Sequence, residues 1–214
     1  MEYYTLDPSL ISLDRFFQLI RTKRMLPGRV MLREKMEDRF VVLVEAGISN
    51  LKDLIRKLGS KQKMESFSSR WNLPYPYLVL LKREAGSYLA KPHPLSNFPG
   101  IPFEYTESLR SKGIKNTMDF FQMVQTHEQR SEFTQKTGIP EARLLELYAL
   151  CDLSRITGVG GTMARFCYEA GIRSVSEFAV AEVKSILQFP EEDLQYCIGY
   201  ARVIIECEMK SKSS

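Results

Sequence analysis

The segment Gly47-Ile48-Ser49-Asn50-Leu51-Lys52-Asp53-Leu54 returns as Gly113-Ile114-Lys115-Asn116-Thr117-Met118-Asp119-Phe120, and again as Gly171-Ile172-Arg173-Ser174-Val175-Ser176-Glu177-Phe178. Three copies in one register mark a chain assembled from repeated supersecondary units. Each position has a physical task. The glycine enters the left-handed region and closes a preceding helix without a Cβ clash, and the isoleucine packs back on that helix. Asn50, Asn116 and Ser174 stand where an N-cap is needed. Asp53, Asp119 and Glu177 follow three residues later, the spacing of a capping box or of a carboxylate favoured by the helix dipole. Each copy reads helix, tight turn, helix.

A wider register supports the short one. Pro74 and Pro140 are 66 residues apart, the separation of Gly47 and Gly113, and each opens an apolar helical pattern, Leu78 and Leu81 after one, Leu144 and Leu147 after the other. Upstream of the glycines, Leu43, Leu109 and Cys167 share one offset, which predicts a core place for the cysteine. In the third copy Phe189-Pro190 opens the matching pattern, with Leu194 and Cys197. The stretch from glycine to proline is 27 residues in the first two copies and 19 in the third, as if a short helix equivalent to Glu128–Gln135 were missing. The fold class expected is all-α with three degenerate repeats.

Ahead of each glycine motif lies a hairpin candidate: Leu26-Pro27-Gly28-Arg29-Val30, Phe98-Pro99-Gly100-Ile101-Pro102 and Ile156-Thr157-Gly158-Val159-Gly160-Gly161. The third keeps two glycines around an aliphatic residue. The second has Pro102 in place of the second glycine, which removes an amide donor. Lys91-Pro92-His93-Pro94-Leu95-Ser96-Asn97 is rich in breakers and reads as a linker. The organisation expected is a first repeat with an N-terminal extension over 1–90, a second over 91–152, a third over 153–209 and a disordered tail over 210–214.

The run Leu153-Ser154-Arg155-Ile156-Thr157-Gly158-Val159-Gly160-Gly161-Thr162-Met163-Ala164-Arg165-Phe166-Cys167-Tyr168-Glu169-Ala170-Gly171-Ile172 closely resembles the helix–hairpin–helix motif of DNA polymerases, ligases, glycosylases and competence proteins. The chain also resembles an uncharacterised bacterial family of tandem helix–hairpin–helix proteins, a domain of unknown function. The resemblance implies tandem helix–hairpin–helix (SAM-like) units in which hairpin amides bind a phosphate without reading bases. Glycine lets backbone approach closely, several N–H groups share one direction, and the helix N-terminus adds positive potential. Here the matching positions are Gly158, Val159, Gly160, Gly161 and Thr162, with a hydroxyl from Thr162 and charge from Arg155 and Arg165.

Charge is unevenly placed. Residues 1–70 hold 14 Lys/Arg against 9 Asp/Glu, residues 71–137 hold 8 against 6, and residues 138–214 hold 8 against 11. A polyanion is therefore steered to the first third, where Arg21, Lys23, Arg24, Arg29, Arg33, Lys35 and Arg39 cluster. The same stretch carries Leu13, Phe16, Phe17 and Ile20 at helical spacing, so it also reads as the solvated face of an amphipathic helix. Trp71, Tyr75 and Tyr77 offer rings for base stacking, although Pro74 and Pro76 beside them suit a packed helix entry better.

Other chemistries lack their parts. The four cysteines, Cys151, Cys167, Cys197 and Cys207, match no C-x-x-C pattern, and two histidines, His93 and His127, leave little from which to build a metal site or a triad. Glu191-Glu192-Asp193 opens a helix, where the dipole favours carboxylates. A P-loop is missing, and neither a catalytic role nor a cofactor is expected. The longest apolar runs, such as Phe40–Val44, are too short to cross a bilayer, and the first residues lack the pattern of a signal peptide, so a cytoplasmic place is expected. The reading that follows is non-catalytic, sequence-tolerant binding of DNA, or RNA, by its backbone; the alternative is a protein–protein scaffold whose hairpins only set helix angles.

Overall fold

The structure, a computed structural model, describes residues 4–23, 25, 27–182 and 189–212. Among these the regular elements are helices, and strand-like pairing is confined to two isolated antiparallel bridges, Ser12 with Asn50 and Pro94 with Asn116. Two compact units are present: Leu6–Leu89 with the chain's end from Met209, and Ala90–Glu208 with Tyr4 and Thr5. The first holds α1 (Leu13–Thr22), α2 (Met36–Glu45), α3 (Leu51–Lys57), α4 (Lys61–Trp71) and α5 (Tyr75–Ser87). The second holds α6 (Phe103–Ser111), α7 (Thr117–Met123), α8 (His127–Thr137), α9 (Glu141–Leu153), α10 (Gly161–Glu169), α11 (Val175–Val180) and α12 (Glu191–Lys212) as far as Glu208.

The 66-residue register is visible in the elements themselves: both ends of α3, α4 and α5 recur, displaced by that number, as the ends of α7, α8 and α9. The punctuation recurs with them. Ser60 and Thr126 cap α4 and α8 through their hydroxyls, Asn72 and Gly138 end those helices in the left-handed region, and Pro74 and Pro140 precede the next helix. Proline suits that place because the first amides of a helix have no partner within it.

All three glycine turns close in one way. Gly47, Gly113 and Gly171 have φ of 71°, 85° and 89°. The isoleucine after each donates its amide across the turn, Ile48 to the Leu43 carbonyl at 3.1 Å, Ile114 to Leu109 at 3.0 Å and Ile172 to Cys167 at 2.9 Å. This six-to-one bond satisfies a carbonyl that the helix end would leave bare. The caps follow: Asp53, Asp119 and Glu177 donate their amides to the side chains of Asn50, Asn116 and Ser174. Their carboxylates return to the amide one residue before the cap, that of Ser49, Lys115 and Arg173, rather than to the cap's own amide.

In the first unit α5 packs against α3, α4 and the 3-10 helix Pro27–Leu32, burying Tyr77, Leu78, Leu81 and Ala85. In the second α9 packs against α7, α8, α10 and α11, and its Leu144, Leu147, Leu150 and Leu153 are buried. A buried leucine is worth roughly 1.5–3 kcal/mol, so these two helices carry much of each unit's cohesion. Cys167 is buried as its leucine counterparts are, and burial pushes its thiol up to about 11.

Several expectations need correction. Residues 27–32 form a 3-10 helix in which Gly28 is not left-handed, so they are no hairpin; the left-handed residue ahead of α2 is Lys35, at φ 46°. Leu26 lies outside the described residues. The segment expected as a linker is anchored from His93 onward, because Thr117 donates to the His93 carbonyl at 2.9 Å and Leu95 is buried. The tail expected to be disordered from Lys210 is helical as far as Lys212; residues 213–214 lie outside the described part. So does 183–188, on which the expectation of a missing helix falls.

Candidate functional site

After α9 the chain tightens through successive turns. Arg155 donates its amide to the Asp152 carbonyl at 3.1 Å, Ile156 to Leu153 at 3.1 Å and Val159 to Ile156 at 2.9 Å. Gly158 turns the backbone at φ 96°, the buried Val159 anchors the turn in the core, and Gly160, extended at φ −88° and ψ −179°, stands as the N-cap of α10. The hairpin at 98–103 is built alike. Gly100 has φ 81°, Ile101 donates to the Phe98 carbonyl at 3.5 Å, and Pro102 caps α6.

The amides of Gly160, Gly161 and Thr162 have no hydrogen-bond partner among the described residues. Two of them belong to the first turn of α10, whose amides point out of the helix and carry its positive dipole end. Thr162 is exposed, and Gly160 and Gly161 are partly so. The three glycines differ in how far the structure holds them to glycine. Gly158 needs its positive φ, and a Cβ there would stand 3.1 Å from the Cys197 Sγ. Gly161 lies under a neighbouring segment: a Cβ would fall 2.1 Å from the Asn97 carbonyl oxygen. At Gly160 nothing lies within 4 Å of an added Cβ and the backbone is extended. Neither packing nor conformation demands a glycine there, and the space a side chain would take is open.

The cations expected beside the hairpin point elsewhere. Arg155 is 2% exposed and ion-paired to Asp152 at 2.6 Å and to Glu208, and its Nε reaches the Tyr4 carbonyl at 3.3 Å. Burial works against its charge, but the two carboxylates outweigh burial and hold the guanidinium above its ordinary range. It is a core cation and does not face solvent. Around it Thr117 donates to the Tyr4 hydroxyl at 2.6 Å, Tyr4 bonds Ser154, and Asp152 accepts the Val175 amide at 2.8 Å. Burial pushes the Tyr4 phenol up.

Arg165 is largely buried as well, donating to the Pro99 carbonyl and to Glu146, each at 2.6 Å, with Arg143 on the second Glu146 oxygen at 2.7 Å. Burial pushes the Glu146 carboxyl up, and the hydrogen bonds from Arg143 and Arg165 outweigh it and hold the carboxyl below its usual range. The guanidinium of Arg165 thus ties α10 to α9 and to the neighbouring hairpin at Pro99.

Most of the N-terminal cations are also tied within the first unit. The carboxylate of Glu84 on α5, 0% exposed, takes Lys23 at 2.8 Å and Arg29 at 2.6 Å. Arg33 donates to the carbonyls of Ile20 and Lys23, and Arg21 pairs with Glu37. Lys35 is exposed, and Arg24 lies outside the described residues. In sequence these residues look like one basic patch because a buried carboxylate 55 and 61 positions away is invisible there. Tyr77 is core, beneath the guanidinium of Arg39 at 4.2 Å.

A feature that sequence reasoning missed lies in the first unit. Arg56, Lys57, Lys63, Arg70 and Trp71 line a groove of about 810 Å³ between the glycine turn at Gly47 and the outer face of α4. A groove of about 600 Å³ occupies the equivalent place beside Gly113. The signal for both was the repeat itself, had its surface positions been compared as its core positions were.

Among the described residues no helix is long and apolar enough to cross a membrane, and no group of three or more His, Cys, Asp or Glu side chains stands ready for a metal ion. Residues 99–191 match the family described as Domain of unknown function (DUF4332). No curated protein and no solved structure matches the chain.

Proposed function

We propose that this protein is a non-catalytic binder of a nucleic-acid backbone and that the turn at Gly158–Thr162 is a helix–hairpin–helix phosphate contact within a tandem array of such units. The observation that carries the reading is the set of unpartnered amides at Gly160, Gly161 and Thr162, residues that are partly or fully exposed, at the N-terminus of α10. Oriented amides bind phosphate oxygens without reading bases, so the affinity is sequence-tolerant and salt-dependent. Arg155 and Arg165 act here by holding the hairpin in place, since Asp152, Glu208 and Glu146 already neutralise them.

The equivalent position in the hairpin at 98–103 supplies the test. Pro102 caps α6 there, so a proline at Gly160 copies a turn the fold already contains while deleting one amide donor. Fluorescence anisotropy with labelled duplex DNA, repeated at rising salt, reads the outcome. The expected results are binding that weakens linearly in a log–log plot and a loss of roughly tenfold in Gly160→Pro, the scale of one hydrogen bond to a charged group. Absence of binding even at low ionic strength removes the reading. It leaves the protein–protein scaffold, which draws on Phe103, 73% exposed in the first turn of α6, where α10 has a glycine.

A further inference from the structure

The groove beside Gly47 and its counterpart beside Gly113 are the same shell built twice, and their linings differ in kind. Arg56, Lys57, Lys63, Arg70 and Trp71 of the first are replaced, 66 residues on, by Gln122, Met123, Gln129, Lys136 and Thr137. The aromatic floor is retained, as Phe67 and Phe133. Among the described residues, four cations face the single carboxylate of Glu45 in the first groove; in the second, Lys112 and Lys136 face Asp119 and Glu132. Lys136 is moreover paired with Glu132 at 3.2 Å, and the matching position in the first groove is Ser66, which leaves Arg70 without that partner.

The cations of the first groove are held at graded availability. Lys57 donates to the Ala46 carbonyl at the end of α2, and Arg56 pairs with Asp53 at 2.8 Å. Lys63 and Arg70 are exposed and make no ion pair among the described residues. Arg70 stands 5.7 Å from the centre of the Trp71 ring, whose own neighbour is Phe67 at 6.2 Å. A solvated helix face accounts for exposed lysines. It does not account for a concavity in which four cations gather around a half-buried tryptophan in one repeat, while the matching shell of the other holds two, one of them paired with Glu132, and a threonine in place of the tryptophan.

We infer that the groove formed by α3 and α4 of the first unit binds a nucleotidyl group, its phosphate on Lys63 and Arg70 and its base against Trp71. The chemistry is that of single-strand binders, where cations track phosphates and an aromatic face takes the base whatever its identity. The volume lies within the range of small-molecule sites, which bury a ligand of that size. This site is separate from the hairpin at Gly158–Thr162 and needs no amide from it.

Trp71 is the one tryptophan of the chain, so its fluorescence reports the groove directly in the full-length protein. It would be titrated with a short oligothymidylate, with adenosine monophosphate and with inorganic phosphate. The expected result is quenching by the oligonucleotide, and weakening by about tenfold in the exposed double variant Lys63→Glu/Arg70→Glu, the scale of a lost charge-assisted phosphate contact. Gly160→Pro should leave the quenching unchanged, which separates this site from the hairpin. Quenching by the mononucleotide as well assigns the site to free nucleotides; quenching by the oligonucleotide alone assigns it to a strand, and either supports the inference. No quenching by either ligand overturns it, as does quenching that the double variant leaves intact. Anisotropy of a labelled oligonucleotide on Trp71→Leu, which removes the aromatic face and keeps an apolar side chain against Phe67, gives a second reading: unchanged affinity there removes the stacking.

Discussion

The turn before α7 and the turn before α11 share a left-handed glycine, a side-chain cap and a returning carboxylate at matching positions, yet the first amide of the following helix is satisfied differently. Thr117 donates to the His93 carbonyl at 2.9 Å, within the bridge that joins Pro94 to Asn116. Leu51, at the corresponding place in the first copy, donates to the Ile11 carbonyl at 3.0 Å beside the bridge from Ser12 to Asn50. Val175 donates to a carboxylate, that of Asp152, at 2.8 Å. A carbonyl is neutral and comes with its chain; a buried carboxylate needs a cation, and Arg155 supplies it. The third copy has thus exchanged a backbone bridge for an ionic cluster that runs through Arg155 to Glu208 and Tyr4. The turn is a local device, and what docks on it is set by residues far away in sequence.

Removing the carboxylate breaks that comparison most forcefully. Asp152→Ala leaves Arg155 buried with one partner fewer and the Val175 amide with no acceptor. The expected loss is about 3–5 kcal/mol, the scale of an uncompensated buried charge. Urea unfolding followed by circular dichroism measures it. A loss below about 1 kcal/mol, the size of an ordinary cap, would mean that the cluster contributes little and that the third turn stands on its own.

The hairpins at 98–103 and 156–161 sharpen the comparison at the level of single glycines. They share a left-handed glycine followed by an aliphatic residue, but Gly161 is overlain by the Asn97 carbonyl whereas its counterpart Phe103 projects into solvent. Gly161→Ala should therefore cost about 1–3 kcal/mol, because a backbone segment has to move. Gly160→Ala should stay within about 0.5 kcal/mol, as substitutions away from such features do. Equal costs at the two positions, read from the same unfolding curves, would show that Asn97 is not seated on the turn as described.

These cases also show what could be read in the sequence. Turns, caps and the helical class were legible because each depends on residues within one short window: a glycine, an isoleucine and a cap three residues before an acid. The buried place of Cys167 followed from its register with Leu43 and Leu109. The fate of the charges was not legible. Arg155 and Arg165 resemble a phosphate-binding pair in sequence, and the basic run from Arg21 to Lys35 resembles a patch. Glu208, Glu146 and Glu84, which neutralise several of them, are brought near by folding alone. The first hairpin was misplaced for a related reason: Gly28 suggested a turn, and the left-handed residue before α2 is a lysine.

The smallest expected effects test whether the three turns are as independent as their geometry suggests. Asn50, Asn116 and Ser174 each accept the amide three residues on, at 2.9, 3.0 and 3.1 Å. Replacing any of them by alanine should cost about 1 kcal/mol, the usual worth of an N-cap. The bonds that differ between copies, from Leu51, Thr117 and Val175, are made by the backbone amide of the next residue and survive the change. Near-equal losses in the three variants would show that each cap works locally, whatever its neighbouring helix is docked on. A Ser174→Ala loss several times that of Asn116→Ala would instead couple the cap to the Asp152–Arg155 cluster. The double variant Ser174→Ala/Asp152→Ala would then lose less than the sum of its parts, because cap and carboxylate hold the same first turn of α11.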